Sequence, residues 1–445
     1  MPNSIRRAVS IGGISTFAAI PEEFENGWRP LFACIIGSAC GIMAITFYTQ
    51  SLFVGPVTES FGWGRGQFLL SYTILMLAGV ITAPFVGSLI ERIGPTKLAV
   101  FSLIGHAVGY CLLALTPGSL IAWYGTFAFL AVASAGTLPV TWMYVIHKWF
   151  SAHRGKAIGF TMAGTGAVAF VAPPLVEGAI STFGWRGAYA VTGLVPLIVS
   201  LPIVANFLRL PGTAKRAAPP SSSVGDLTTT HRRDRAPIRE GAPEPIWGYS
   251  RAEALKSYKF WALGFALMLM GLAVAGLLPN FVSVLTDKGM PRGEAAQIAA
   301  VIGVAVLAGR ILAGFLVDRF WAPAVAAGFI LMPIVSISVL ILLPMTSTTA
   351  TVAAFTLGLA LGAEIDLLAY VTGRYFGAKH FGPVFSLILV FFMLAAGLAP
   401  AAYGVIFDVT GSYSGILTAS IVMLAVCVGL FLSLGRYPDF DSPRV

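Results

Sequence analysis

GWGRGQFLLSYTILMLAGVITAPFVGSLIERIG (residues 62–94) reappears in altered form as GMPRGEAAQIAAVIGVAVLAGRILAGFLVDRFW (residues 289–321). Set one above the other without a gap, the two pair Gly62 with Gly289, Arg65 with Arg292, Gly66 with Gly293, Gly87 with Gly314, Leu89 with Leu316, Glu91 with Asp318 and Arg92 with Arg319. A second pair, KWFSAHRGKA (148–157) and RYFGAKHFGP (374–383), recurs further along. The chain is therefore an internal duplication. Each copy of the first segment is an apolar run of about the 20 residues that a helix needs to cross a bilayer.

The rest of the chain extends that reading. Of 445 residues, 57% are hydrophobic and 11% charged, whereas a soluble domain carries about 25% charge. Twelve apolar stretches are expected to span a membrane, at 30–53, 67–90, 97–116, 120–147, 156–178, 187–208, 259–286, 294–317, 322–344, 348–374, 383–407 and 413–435. The first 29 residues contain Arg6 and Arg7 but also Glu22, Glu23 and Glu25, and read as a cytosolic tail, not a signal peptide. Cys34, Cys40, Cys111 and Cys427 fall in apolar stretches without CxxC spacing, so neither a disulfide framework nor a metal site is expected. No cofactor is expected.

Orientation follows from the basic residues. With a cytosolic N-terminus, Arg92, Lys97, Lys148, Arg154, Lys156, Arg319, Arg374, Lys379 and the basic central loop lie inside, and Arg65, Arg186, Lys288 and Arg292 lie outside. The formal charge of +9 is then a topology signal. It is spread over successive loops and forms no stripe for nucleic acid.

Residues 209 to 250, RLPGTAKRAAPPSSSVGDLTTTHRRDRAPIREGAPEPIWGYS, are rich in Pro, Ser and Arg, a composition that cannot bury a core. Ser250 and Glu253 then have capping-box spacing and predict a short interfacial helix before the seventh span. Six spans precede this linker and six follow. The expected organisation is a cytosolic tail at 1–29, a six-helix bundle at 30–208, a cytosolic linker at 209–256, a second bundle at 257–436 and a cytosolic tail at 437–445. Duplicated six-span units are the sequence form of a transporter whose two pseudo-symmetric halves rock about a midplane site.

GSLIERIGPTK (87–97) and its weaker copy GFLVDRF (314–320) resemble the loop motif of the major facilitator superfamily. QSLFVGPVTESFGWGRGQ, WFSAHRGKAIG, GRILAGFLVDR, GAEIDLLAYVTGRYFG and DVTGSY resemble its monocarboxylate transporter and oxalate:formate antiporter branch. The resemblance implies alternating access, and it puts Arg310 where that branch keeps a carboxylate-binding arginine. It also implies that Glu91, Arg92, Lys97, Asp318 and Arg319 form a cytosolic gate. The chain departs from the branch at Val306, where animal monocarboxylate carriers keep an Asp, and has no lysine in span one or span eleven.

Four ionisable residues sit within spans: Glu177, Arg310, Glu364 and Asp366. A mid-bilayer charge costs a few kcal/mol and is a functional hypothesis by default. Arg310 lies eight residues before Asp318 and Asp366 eight before Arg374, which places both at similar depth, roughly 12 Å from the helix ends. Glu364 and Asp366 are two residues apart, so on a helix they point about 200° from each other and cannot both line one cavity. Asp366 shares its side with Tyr370 and Gly373, which favours it for the transport path. Either acid is a candidate proton carrier. Arg310 suits a carboxylate because its guanidinium offers parallel donors and never loses its charge. A buried ion pair that only fixes packing is the competing reading.

Trp142, Tyr144 and Tyr370 are deep enough to contact substrate. His106 beside Gly105 and Gly109 reads as a packed, hydrogen-bonded residue, and Glu177 near Pro173 and Pro174 as an interfacial one. Gly37-xxx-Gly41, Gly105-xxx-Gly109 and Ala163–Gly166 are spacings that let helices approach. Trp28, Trp63, Trp123, Trp149, Trp185, Trp261 and Trp321 read as an aromatic belt.

The expected protein is a multi-pass transporter of a bacterial inner membrane with both termini cytosolic, acting as a monomer. It would carry a small organic anion, a monocarboxylate, by proton symport or exchange. An exporter of amphipathic compounds and a non-transporting sensor are the alternatives. No HExxH, GxSxG or P-loop suggests an enzyme. The partners implied are the anion, protons and the lipid bilayer, with no nucleic acid.

Overall fold

The computed structural model describes residues 22–150, 153–211, 248–377 and 380–438. Most of the linker and both chain ends therefore lie outside the described residues, as does Lys379. The chain folds into helices α1 (Glu22–Ala39), α2 (Ile42–Phe61), α3 (Arg65–Ile93), α4 (Pro95–Ala114), α5 (Leu120–Ala133), α6 (Pro139–Trp149), α7 (Arg154–Phe207), α8 (Arg251–Lys256), α9 (Tyr258–Met270), α10 (Phe281–Asp287), α11 (Arg292–Val317), α12 (Ala322–Leu342), α13 (Ser347–Phe376), α14 (Phe381–Thr410) and α15 (Ser414–Leu432).

These account for twelve membrane spans. α1 with α2 makes the first, α5 with α6 the fourth, and α9 through α10 the seventh. α7 holds the fifth and sixth, joined at Gly184, whose φ of 69° and ψ of 172° break the helix. Only glycine enters that backbone region without strain. Large aliphatic side chains stand exposed on the outer surface, among them Ile121 at 84%, Leu115 at 77% and Ile311 at 76%. Such a surface is stable against lipid and not against water. The protein is an integral multi-pass membrane protein.

Spans one, four and seven are interrupted, and each break is repaired by a neighbour. The chain pauses at Gly41, and the freed Ile42 N–H donates to Thr137 Oγ1 at 3.1 Å. Thr137 itself lies in a 3-10 turn, Ala135–Thr137, that interrupts the fourth span. There Gly136 N–H is taken by Ser102 Oγ at 3.0 Å, and Pro139 opens α6 where no amide is needed. Span seven carries a π-turn at Gly271–Ala275 and a 3-10 turn at Leu278–Asn280. The Ala273 carbonyl accepts from Tyr403 Oη at 3.0 Å, and the Gly276 carbonyl from Asn280 Nδ2 at 2.9 Å. Irregular backbone at membrane depth persists only with such partners.

Each half packs as a bundle, and the halves are joined chiefly by α3 with α14 and by α7 with α11, with α2 also packed against α10 and the Leu278–Asn280 turn of span seven. Glycine sets the approach. A Cβ on Gly404 would meet Gly66 N at 2.6 Å, and one on Gly303 would meet the Ala169 backbone carbonyl carbon at 2.6 Å. The expected small-residue contacts also form, with Gly37 under the Trp142 ring, Gly105 against Ala133 and Gly166 against Leu307. We call the end where α7 stops and α8 begins the linker end, and the end bearing Arg65 and Arg292 the far end.

Ser250 caps α8 with Glu253 in the expected box, Ser250 N–H reaching Glu253 Oε2 at 2.8 Å. Tyr249 N–H pins this segment to the Phe376 carbonyl at the end of α13, at 2.8 Å. The aromatic belt needs correction. Trp28 and Trp261 are exposed at 50% and 42%, but Trp123 and Trp185 are buried in a stack with Trp63, Phe53 and Tyr189. Their positions near span ends do not put them on the lipid face, because spans two, four and six converge there.

Candidate functional site

The site begins with an unusually close helix crossing. α11 and α13 meet at Gly309 and Gly362, where an added Cβ would collide with the Leu359 and Val306 carbonyl oxygens respectively. That crossing brings Arg310, next to Gly309, against Asp366, one turn beyond Gly362 on α13. Arg310 Nε and Asp366 Oδ2 are 3.4 Å apart. The contact is an ion pair by distance but is not aligned as a hydrogen bond, and Arg310 Nε, buried, has no hydrogen-bond partner among the described residues. The Arg310 side chain is 24% exposed and that of Asp366 50%. Tyr48, on α2 of the other half, is an electrostatic neighbour of Arg310. The pair therefore faces the space between the halves, not lipid.

Glu364 goes elsewhere. It is buried at 6% among Leu267, Met270, Ala326, Phe329 and Phe431, inside its own half, and its Oε1 has no hydrogen-bond partner among the described residues. The two acids point apart as their spacing requires. Tyr370 is half-buried against the core on the helix that carries Asp366. Trp142 is fully buried, its indole N–H donating to the Thr137 carbonyl at 3.0 Å, so in this conformation it packs against α1 and is not brought to Arg310. Tyr144 is half-buried with Lys148 over its ring at 5.5 Å, nearer the linker end. His106 is fully buried against Tyr110, ring centroids 4.7 Å apart, but neither nitrogen is hydrogen-bonded among the described residues. It is packed as expected, without the hydrogen bond.

The proposed gate residues Glu91, Arg92, Lys97, Asp318 and Arg319 are all exposed at the linker end, and none joins an ion pair among the described residues. Arg319 lies instead over the Phe315 ring at 4.9 Å. The far end is tied shut. Arg65 grips Asp287 and Arg292 grips Glu177, each across the halves. Glu177 is thus ion-paired and 13% exposed, not simply solvated at the interface. Sequence reading missed these residues as a functional group. Their signal in the sequence is the pairing of Arg65 with Arg292 in the duplication.

Two apolar clefts, about 370 Å³ beside Leu312, Phe320 and Met332 and about 310 Å³ beside Ile45, Leu175 and Phe183, carry no charged side chain and are poor hosts for an anion. The Arg310 pair is the candidate.

Two linked six-helix bundles with a charge held between them are the architecture of a membrane transporter. The sequence profile of the Major Facilitator Superfamily matches residues 34–400, and the chain belongs to that family. An uncharacterized MFS-type transporter of Escherichia coli (strain K12), YhjX, is 22% identical over 373 residues, covering 81% of this chain and 85% of that protein. Monocarboxylate transporter 11 of Homo sapiens is 25% identical, covering 65% of this chain and 58% of that protein. The oxalate:formate antiporter of Oxalobacter formigenes is 24% identical, covering 63% and 60%. A bacterial homolog of the human lysosomal transporter Spinster shares the fold, with a TM-score of 0.66 at 16% identity over 94% of this chain and 97% of that one.

Proposed function

We propose that this transporter carries a small monocarboxylate by alternating access, with Arg310 as the carboxylate ligand and Asp366 as the coupled proton site. The observation that carries the reading is Arg310 itself. It stands mid-span between the halves, its one acidic partner among the described residues is misaligned, and donors remain for a second carboxylate. A substrate carboxylate competes with Asp366 for one guanidinium, so substrate and proton binding are thermodynamically linked. If substrate arrival releases Asp366 to take up a proton, the cycle is symport. If one anion replaces another without that step, it is exchange.

The names of the similar proteins, a monocarboxylate transporter and an oxalate:formate antiporter, support the substrate class. The basic loops support a cytosolic linker end in a bacterial inner membrane, with tails at 1–29 and 437–445, bundles at 30–208 and 257–436, and a linker at 209–256. Tyr370 is a candidate second contact from the same helix as Asp366. Trp142 and Tyr144 would reach substrate only in another conformation. The test is uptake by proteoliposomes over a panel of small carboxylates, with and without a pH gradient. The expected result is uptake of one or more that Arg310→Ala abolishes; undiminished carboxylate uptake by Arg310→Ala in folded protein would refute the reading.

A further inference from the structure

The duplication places Arg65 and Arg292 at equivalent positions, each opening the second span of its half's repeat. In the fold each reaches into the other half. Arg65 makes a two-pronged contact with Asp287, Nη1 to Oδ2 at 2.6 Å and Nη2 to Oδ1 at 2.8 Å. Its Nη1 also donates to Tyr413 Oη at 3.1 Å, and its Cζ lies 3.8 Å above the Phe407 ring. The first amides of α3 are used as well. Asp408 accepts from Arg65 N–H at 2.8 Å and from Gly66 N–H at 2.8 Å. Tyr413 is buried. Its hydroxyl accepts from Arg65 while donating to Asn280 Oδ1 at 3.0 Å.

The other arm is simpler. Arg292 Nε donates to Glu177 Oε2 at 3.0 Å, and Arg292 also reaches the Leu52 carbonyl. The two arms are related by the repeat: Arg65 on span two meets Asp408 on span eleven, and Arg292 on span eight meets Glu177 on span five.

We propose that Arg65 and Arg292 are the residues that position the halves in the far-end-closed state, a reciprocal gate in which each half holds an acid of the other. This rests on the alternating-access reading above. Arg65 is the stronger arm, because it combines a bidentate carboxylate, a phenol, an aromatic face and two capped amides, whereas Arg292 has one carboxylate and one carbonyl. Opening the far end breaks every one of these contacts. Nothing equivalent holds the linker end in this conformation among the described residues.

The test measures both ends at once. Spin labels at Ser60→Cys with Thr410→Cys report the far end, and at Ser88→Cys with Phe320→Cys the linker end, after replacement of the four native cysteines. All four label sites are exposed. In wild-type proteoliposomes the far-end distance should be short and the linker-end distance long. Arg65→Ala should raise the ratio of far-end-open to far-end-closed protein on the order of tenfold, lengthening the first distance while shortening the second. Arg65→Lys should give a smaller shift in the same sense, and Arg292→Ala a smaller one than Arg65→Ala. Arg65→Ala and Asp287→Ala should be non-additive when combined.

No shift in Arg65→Ala, additive effects of the pair, or lengthening of both distances together would overturn the gate; a larger effect of Arg292→Ala would overturn the ordering. Lactate and oxalate, added at millimolar concentration, separate this failure from failure of the transport reading. Opposed changes at the two ends with carboxylate but none with Arg65→Ala sink the gate alone. Opposed changes in no variant and with no carboxylate sink alternating access itself.

Discussion

If Asp366 competes with substrate for Arg310, removing its charge should tighten carboxylate binding even as it destroys coupling. Asp366→Asn keeps the size of the side chain and ends the ion pair, whose charged atoms stand 3.4 Å apart. At about 4 Å the Coulomb energy of such a pair is about 1 kcal/mol in water and about 4 kcal/mol near a protein surface. Because Asp366 is half exposed and the contact is not an aligned hydrogen bond, the lower part of that range applies, about 1–2 kcal/mol. Removing the competitor should therefore lower the Kd for a carboxylate roughly 5- to 30-fold. Titration calorimetry in detergent measures this directly. Uptake driven by a pH gradient should fail in the same variant, whereas exchange of labelled for unlabelled substrate, which needs no net proton movement, should survive. A Kd raised tenfold would mean that Asp366 is itself a substrate contact; an unchanged Kd with intact gradient-driven uptake would make the pair a packing charge.

Arg310→Lys keeps a positive charge but loses the planar pair of donors, so carboxylate affinity should fall about 10- to 100-fold in folded protein, read as Kd. Glu364→Gln has no ionic partner to lose among the described residues, and should keep both exchange and gradient-driven uptake with unfolding free energy within about 1 kcal/mol of wild type; selective loss of gradient-driven uptake would move the proton site from Asp366 to Glu364. Arg92→Ala and Asp318→Asn should depopulate the linker-end-closed state in favour of the far-end-closed one, and accessibility labelling that shows no such shift removes them from the gate. Gly362→Val would drive a side chain into the Val306 carbonyl of α11, costing about 1–3 kcal/mol, so Tm and carboxylate binding should fall together; a wild-type Tm would contradict the close crossing.

The spans were legible because each is an apolar run of bilayer length, and the depth of Arg310 and Asp366 was legible because helical rise converts residue counts into distance. That the two acids point apart followed from the same geometry. The interruptions were not legible, since what sustains them is tertiary: Ile42 needs Thr137, and the Ala273 carbonyl needs Tyr403. Arg65 and Arg292 were visible as a repeated pair, yet their partners Asp287, Asp408 and Glu177 come from other spans of the opposite half. No periodicity within one segment reports such a pairing. Trp123 shows the same limit in apolar form, because nearness to a span end does not say which side of the helix meets lipid.

The two copies agree at their ends and differ in their middles, and the difference has a physical logic. Arg65 matches Arg292, and Arg92 matches Arg319, but Ala83 stands opposite Arg310 in the same register. Carried back along the second repeat, Leu138 and Val140 stand opposite Glu364 and Asp366. On the alternating-access reading the ends match because each is closed by the same rotation run in opposite senses. The middle need not, and two facing guanidiniums would repel while doubling the cost of charge at membrane depth. The first half instead supplies Tyr48, an electrostatic neighbour of Arg310. A phenol can hydrogen-bond a carboxylate without competing for the guanidinium. On the proposed reading that leaves Asp366 as the one internal competitor, so the duplicated frame supplies the motion while a charge pair confined to one copy decides what moves with it.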